Sequence, residues 1–97
     1  MISVEEFRKF GHEFVDWMAD YYRNIETLPI KPSVEPGDIF RKLPDAPPEE
    51  GEDMKDIFRD FKELILPGMT HWQNPGWMAY FQANTSYPSI LAEMLTA

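Results

Sequence analysis

The sequence predicts an all-α fold, and three observations carry that prediction. Apolar residues recur every three or four positions in three separate stretches, which is the spacing that lines one face of a helix. Each stretch has a start or stop signal at its ends. Six of the nine prolines fall between Pro29 and Pro48, so the chain between the first two helices is an extended strap. The expected layout is helices at about 3–25, 53–66 and 87–97, a strap at 26–51 and an aromatic loop at 67–86.

The first helix opens on Ser3-Val4-Glu5-Glu6, a capping box in which the serine hydroxyl and the glutamate carboxylate satisfy each other's backbone N–H groups. Phe7, Phe10, Phe14, Met18, Tyr21 and Ile25 follow along one face, and Val15, Trp17 and Tyr22 widen the stripe. A helix this apolar around its circumference needs cover on more than one side. Packing against a second subunit is expected, through Phe7, Phe10, Phe14, Trp17, Met18 and Tyr21; a simple intramolecular bundle is the alternative. His12 has no second ligand at helical spacing and reads as solvated or hydrogen-bonded.

In the strap, Ile30, Val34, Ile39 and Phe40 are spaced as anchors, and 38–43 can form one helical turn. The acidic, proline-rich stretch 44–51 reads as a surface loop. The second helix starts at Asp53 as N-cap and stops before Pro67-Gly68. Its stripe is Met54, Ile57, Phe58, Phe61, Leu64 and Ile65; off the stripe, Asp56 and Asp60 repel mildly and Arg59 can pair with Glu63. The third helix starts at Tyr87-Pro88, with proline in the first turn, where its missing N–H costs nothing.

Composition narrows the function classes. The net charge of −8 argues against a nucleic-acid partner, because binding phosphates needs clustered Lys and Arg. With no cysteine, disulfides, thiol catalysis and zinc–thiolate sites are excluded. No apolar run approaches the roughly 20 residues that span a bilayer, and the start of the chain lacks the order of a signal peptide. A cytoplasmic protein without a membrane partner is expected. His12 and His71 lie on separate elements without a carboxylate pattern, so a metal-dependent hydrolase is not supported.

Residues 67–88 hold Trp72, Trp77, Tyr80, Tyr87, Phe81, Met69, Met78 and His71 between prolines and glycines. That is too apolar for a spacer and too broken for one helix, so the segment reads as an ordered loop pressed against a surface, where binding residues tend to sit. Pro67-Gly68-Met69-Thr70-His71-Trp72, Ala79-Tyr80-Phe81 and Ser86-Tyr87-Pro88 together resemble the amino-terminal region of the group II pyridoxal-phosphate-dependent amino acid decarboxylases, nearest the aromatic L-amino acid branch. Glu6-Phe7-Arg8, Val15-Asp16-Trp17-Met18, Val34-Glu35-Pro36-Gly37 and Ala92-Glu93-Met94-Leu95 fall in the same order, so the resemblance covers essentially the whole chain.

The resemblance implies the helical cap of a fold-type-I enzyme that binds pyridoxal phosphate, forms an intertwined homodimer and removes the carboxylate of an L-amino acid. It implies that Trp72, Tyr80 and Phe81 line the pocket for an aromatic side chain. On the residues alone, Trp72 and Phe81 read as core rather than as pocket walls. Where the aromatic branch continues with proline and threonine, this chain has Gln82 and Ala83; a hydroxyl is lost and an amide gained, which leaves the amino acid substrate open. None of Lys9, Lys31, Lys42, Lys55 and Lys62 matches the family's cofactor lysine, and no glycine-rich phosphate loop opens a helix. The 97 residues alone are therefore expected to be inactive and to bind no cofactor, the catalytic domain being absent. A non-catalytic helical dimerisation or adaptor module is the alternative function.

Overall fold

A computed structural model describes residues 2–78 and 85–96 of the chain. Among the described residues all regular structure is helical. It comprises α1 (Val4–Arg23), a 3₁₀ turn at Ile25–Thr27, α2 (Asp38–Lys42), α3 (Met54–Asp60) and α4 (Tyr87–Met94). Beyond α3 the chain continues as a π-helical turn at Phe61–Ile65 and a 3₁₀ turn at Leu66–Gly68.

The start of α1 follows from its first four residues. The Glu6 N–H donates to Ser3 Oγ at 3.1 Å, and the Ser3 N–H donates to the Glu6 carboxylate at 2.9 Å. The bond from the Ser3 backbone, aided by its hydroxyl, holds the Glu6 carboxyl below its usual range. Ser3→Ala is expected to cost about 1 kcal/mol, seen as a lower thermal midpoint in circular dichroism. Ser86 and Ser89 form a second capping box at α4, with Ser89 N–H donating to Ser86 Oγ at 3.3 Å and Ser86 N–H to Ser89 Oγ at 3.1 Å. Pro88 lies in the first turn of α4, where no N–H is missed.

Two faces of α1 meet two elements of the same chain. Phe14 and Trp17 turn toward α3 and the turn after it, and Tyr21, four residues on, continues that face to His71. Phe14 packs on Phe58 with ring centroids 4.3 Å apart, and Trp17 meets Phe58 and Phe61 edge-on at 5.9 and 5.5 Å. The Lys62 ammonium caps this cluster 4.5 Å over the Phe58 ring, adding a cation–π contact. On the other face, Tyr22 meets Tyr87 of α4 edge-on at 5.7 Å. Despite both neighbours, no residue of α1 is buried, and Phe7 stays 68 % exposed.

The stretch expected as one helix over 53–66 is divided. The regular helix covers only Met54–Asp60, and helical turns persist to Gly68. Pro67 does not stop the chain ahead of itself; it sits at the start of the 3₁₀ turn, where its absent N–H costs no hydrogen bond. Asp53 is the N-cap, but its side chain makes no capping hydrogen bond, and its carbonyl accepts from the Asp56 and Ile57 N–H groups at 3.0 and 3.1 Å. Arg59 pairs with Asp56 at 2.8 Å and Asp60 at 3.2 Å, so it bridges the two acids expected to repel. Both pairs are solvent-facing and weak.

The strap is anchored at two glycines. Gly37 takes φ +90° to turn the chain into α2, a conformation that L side chains rarely adopt. Ile39 and Val34 close on Gly68, where an added Cβ would lie 2.9 Å from Ile39 Cγ1 and 3.8 Å from Val34 Cγ2. Ile30 closes on Gly76, where the same atom would lie 2.6 Å from Ile30 Cδ1. Phe40, expected as a fourth anchor, is instead 81 % exposed.

The surface is large for the mass. A compact protein of 11.4 kDa exposes roughly 5,800 Å², whereas this chain exposes 8390 Å². Its radius of gyration is 15.7 Å, against roughly 12.5 Å for a compact domain of this length. Ile25 is the one buried apolar side chain among the described residues. The apolar surface that the sequence supplies is therefore organised but not hidden.

Candidate functional site

The aromatic loop is held against the end of α1 by two buried polar residues, His71 and Asn74. His71 Nδ1 and Tyr21 Oη share a hydrogen bond of 2.8 Å. Tyr21 stacks on Trp17 at 5.5 Å, so the aromatic cluster between α1 and α3 runs directly into the loop. Burial, followed by the neighbouring Tyr22, raises the Tyr21 pKa above its ordinary 10.0, which keeps the phenol protonated as a hydrogen-bonding group.

Asn74 closes the other side. Its Nδ2 donates to the Ile25 carbonyl at 3.0 Å and to the Leu28 carbonyl at 3.2 Å, while its Oδ1 accepts from the Gly76 N–H at 2.9 Å. Between these fixed points the chain turns twice, through Asn74 N–H to His71 O at 3.0 Å and Trp77 N–H to Asn74 O at 2.9 Å. The turns bring Trp72 and Trp77 into a near-parallel stack, 6.2 Å apart with 10° between the ring planes. Trp72 remains half exposed although the residues that fix it are buried. An exposed indole on a rigid base is a flat apolar wall, suited to another aromatic ring.

Of the residues expected at a substrate pocket, Trp72 is on this wall, and Tyr80, Phe81, Gln82 and Ala83 lie outside the described residues. The residues expected at a subunit contact separate into groups. Phe14, Trp17 and Tyr21 pack within the chain against Phe58, Phe61 and His71. Met18 lines a groove of about 490 Å³ with Val15, Tyr22, Tyr87, Ile90 and Leu91. Phe7 is exposed, and Phe10 is half-buried with the Lys9 ammonium 5.5 Å from its ring centre.

Sequence reasoning missed the roles of His71 and Asn74. For Asn74 a local signal was present. Asn-Pro-Gly favours an asparagine side chain that accepts from the N–H two residues on, which is the Asn74–Gly76 bond. His71 had no such signal, because its partner is 50 residues away.

The family model described as pyridoxal-dependent decarboxylase conserved domain matches residues 36–97. The chain belongs to this family. Its relatives fall in the aromatic branch named from the sequence. They include the aromatic-L-amino-acid decarboxylase of Rattus norvegicus, 48 % identical over 97 % of this chain and 20 % of the relative. The phenylacetaldehyde synthase of Petunia hybrida is 46 % identical over all of this chain and 19 % of its own length. Among solved structures, Catharanthus roseus tryptophan decarboxylase in complex with L-tryptophan superposes with a TM-score of 0.86 and 44 % identity, over 97 % of this chain and 20 % of that one. The chain thus spans about one fifth of the length of these relatives.

Pyridoxal phosphate is the cofactor of the family, and the residues described here do not make a site for it. An enclosed lysine must hold it as a Schiff base, yet Lys9, Lys31, Lys42, Lys55 and Lys62 are all exposed. Lys62 is engaged over the Phe58 ring. Among the described residues, no helix is long and apolar enough to cross a membrane.

Proposed function

We propose that this chain is the amino-terminal part of a homodimeric, pyridoxal-phosphate-dependent decarboxylase acting on an aromatic L-amino acid. It supplies the subunit contact and one aromatic wall of the substrate pocket, and the cofactor is held by the rest of the enzyme. The observation that carries this reading is Trp72, half exposed on a base fixed by buried His71 and Asn74. It is stacked on Trp77 and oriented by that base, with half of its surface exposed. The test is release of carbon dioxide by the full-length protein with pyridoxal phosphate from L-tryptophan, L-tyrosine, L-phenylalanine and L-dihydroxyphenylalanine in turn, compared with an aliphatic amino acid. Release from at least one aromatic substrate is expected, and no release from any of them would overturn the reading.

The dimer role rests on the surplus surface. The chain exposes roughly 2,600 Å² more than a compact protein of its mass, which is enough for the roughly 1,000–2,500 Å² that each subunit buries in a permanent contact. Phe7 is the cleaner place to test the contact, because it is 68 % exposed whereas Phe14 supports the cluster with Phe58. Phe7→Asp would bury a charge in the contact and is expected to shift the sedimenting species from dimer to monomer with helix content retained. An unchanged sedimentation profile would remove Phe7 from the interface.

A further inference from the structure

The structure assigns Asn74 as a positioning residue for the Trp72–Trp77 wall, a role that rests on the proposed substrate pocket and adds a specificity-determining residue to it. Asn74 is bonded in three directions at once. Its backbone ties the residue before Trp72 to Trp77, through its N–H to the His71 carbonyl at 3.0 Å and its carbonyl to the Trp77 N–H at 2.9 Å. Its side chain ties that turn to the end of α1, donating to Ile25 O at 3.0 Å and Leu28 O at 3.2 Å. Its remaining oxygen accepts from Gly76 N–H at 2.9 Å and fixes the return of the chain.

The side chain needed here is short, with two donors and one acceptor. Asparagine alone meets this at that length. Aspartate keeps the acceptor but offers no donor when ionised, and it would set a carboxylate against two carbonyl oxygens. Glutamine carries the same amide one carbon further out, into a residue that is already 7 % exposed. The carbonyls of Ile25 and Leu28 belong to the 3₁₀ turn that ends α1 and the first residue after it, so Asn74 sets the distance between the helix and the wall. Because Ile25 is the buried apolar residue of the same junction, the anchor point is the best-packed part of the described chain.

The experiment uses the full-length protein carrying Asn74→Ala or Asn74→Asp. Each variant is compared with its own Trp72→Phe version, so that the near-ultraviolet circular dichroism of Trp72 is isolated as a difference. The expected result is loss of the Trp72 difference signal with far-ultraviolet ellipticity retained. The KM for L-tryptophan should rise roughly tenfold, as expected from losing the net worth of one or two hydrogen bonds, with little change in kcat. An unchanged Trp72 signal and KM would overturn the assignment. Loss of far-ultraviolet ellipticity in parallel with the Trp72 signal would also overturn it, by showing a role in folding alone. If the full-length protein does not act on aromatic amino acids, the proposed function fails, while the Trp72 signal still decides whether Asn74 orients the wall.

Discussion

Phe58→Ala should lower the thermal midpoint of this chain more than any other single truncation in the aromatic cluster. Phe58 lies at the meeting point of Phe14, Trp17, Phe61 and the Lys62 ammonium. Truncating a fully buried phenylalanine costs about 3–5 kcal/mol. Phe58 is half-buried, so about 2–3 kcal/mol is the fair expectation. That is a large share of the stability of a small domain, and it corresponds to a fall of at least about 8 °C. Phe40→Ala is the matched control, because Phe40 is 81 % exposed. Thermal unfolding followed by circular dichroism compares the two. Equal midpoints would mean that the α1–α3 cluster does not hold the segment together.

The second large effect is expected at Trp72. In the full-length enzyme, Trp72→Ala removes a flat wall from the proposed pocket. Aromatic contact is worth about 0.5–1.5 kcal/mol beyond area, and the lost apolar area adds to it. A rise of roughly tenfold or more in KM for aromatic substrates is therefore expected, with kcat nearly kept and the bound-cofactor absorbance unchanged. Trp72→Phe should recover most of the loss, because it restores a ring at the same place. Unaltered kinetics in Trp72→Ala would take Trp72 out of the pocket.

What was legible in the sequence was local. The Ser3–Glu6 capping box is written within four residues, and the structure forms both of its hydrogen bonds. The all-helical class, the strap and the helical turn at Asp38–Lys42 follow from periodicity and proline placement in the same way. What was not legible depends on residues far apart. The Tyr21–His71 and Asn74–Ile25 bonds join positions 50 and 49 residues apart, and no spacing rule reports them. The wide stripe of α1 showed how much cover was needed but not how it is shared between α3 and α4. Two local expectations also gave way. Arg59 bonds back to Asp56 and on to Asp60 rather than to Glu63, and Pro67 fits inside a 3₁₀ turn because that turn has no use for its missing N–H.

The physical centre of these findings is a segment with its aromatic residues ordered but uncovered. Of the apolar side chains described, only Ile25 is buried. In the proposed reading, cover for the rest comes from a second copy and from the remainder of the enzyme. Amide hydrogen exchange across α1 tests this most directly, measured in the 97-residue chain alone and in the full-length protein. Exchange in α1 should slow by orders of magnitude in the full-length protein, where the proposed partner surfaces close over Phe7 and Met18. Equal protection in the two samples would contradict it, since α1 would then be as stable without those surfaces as with them.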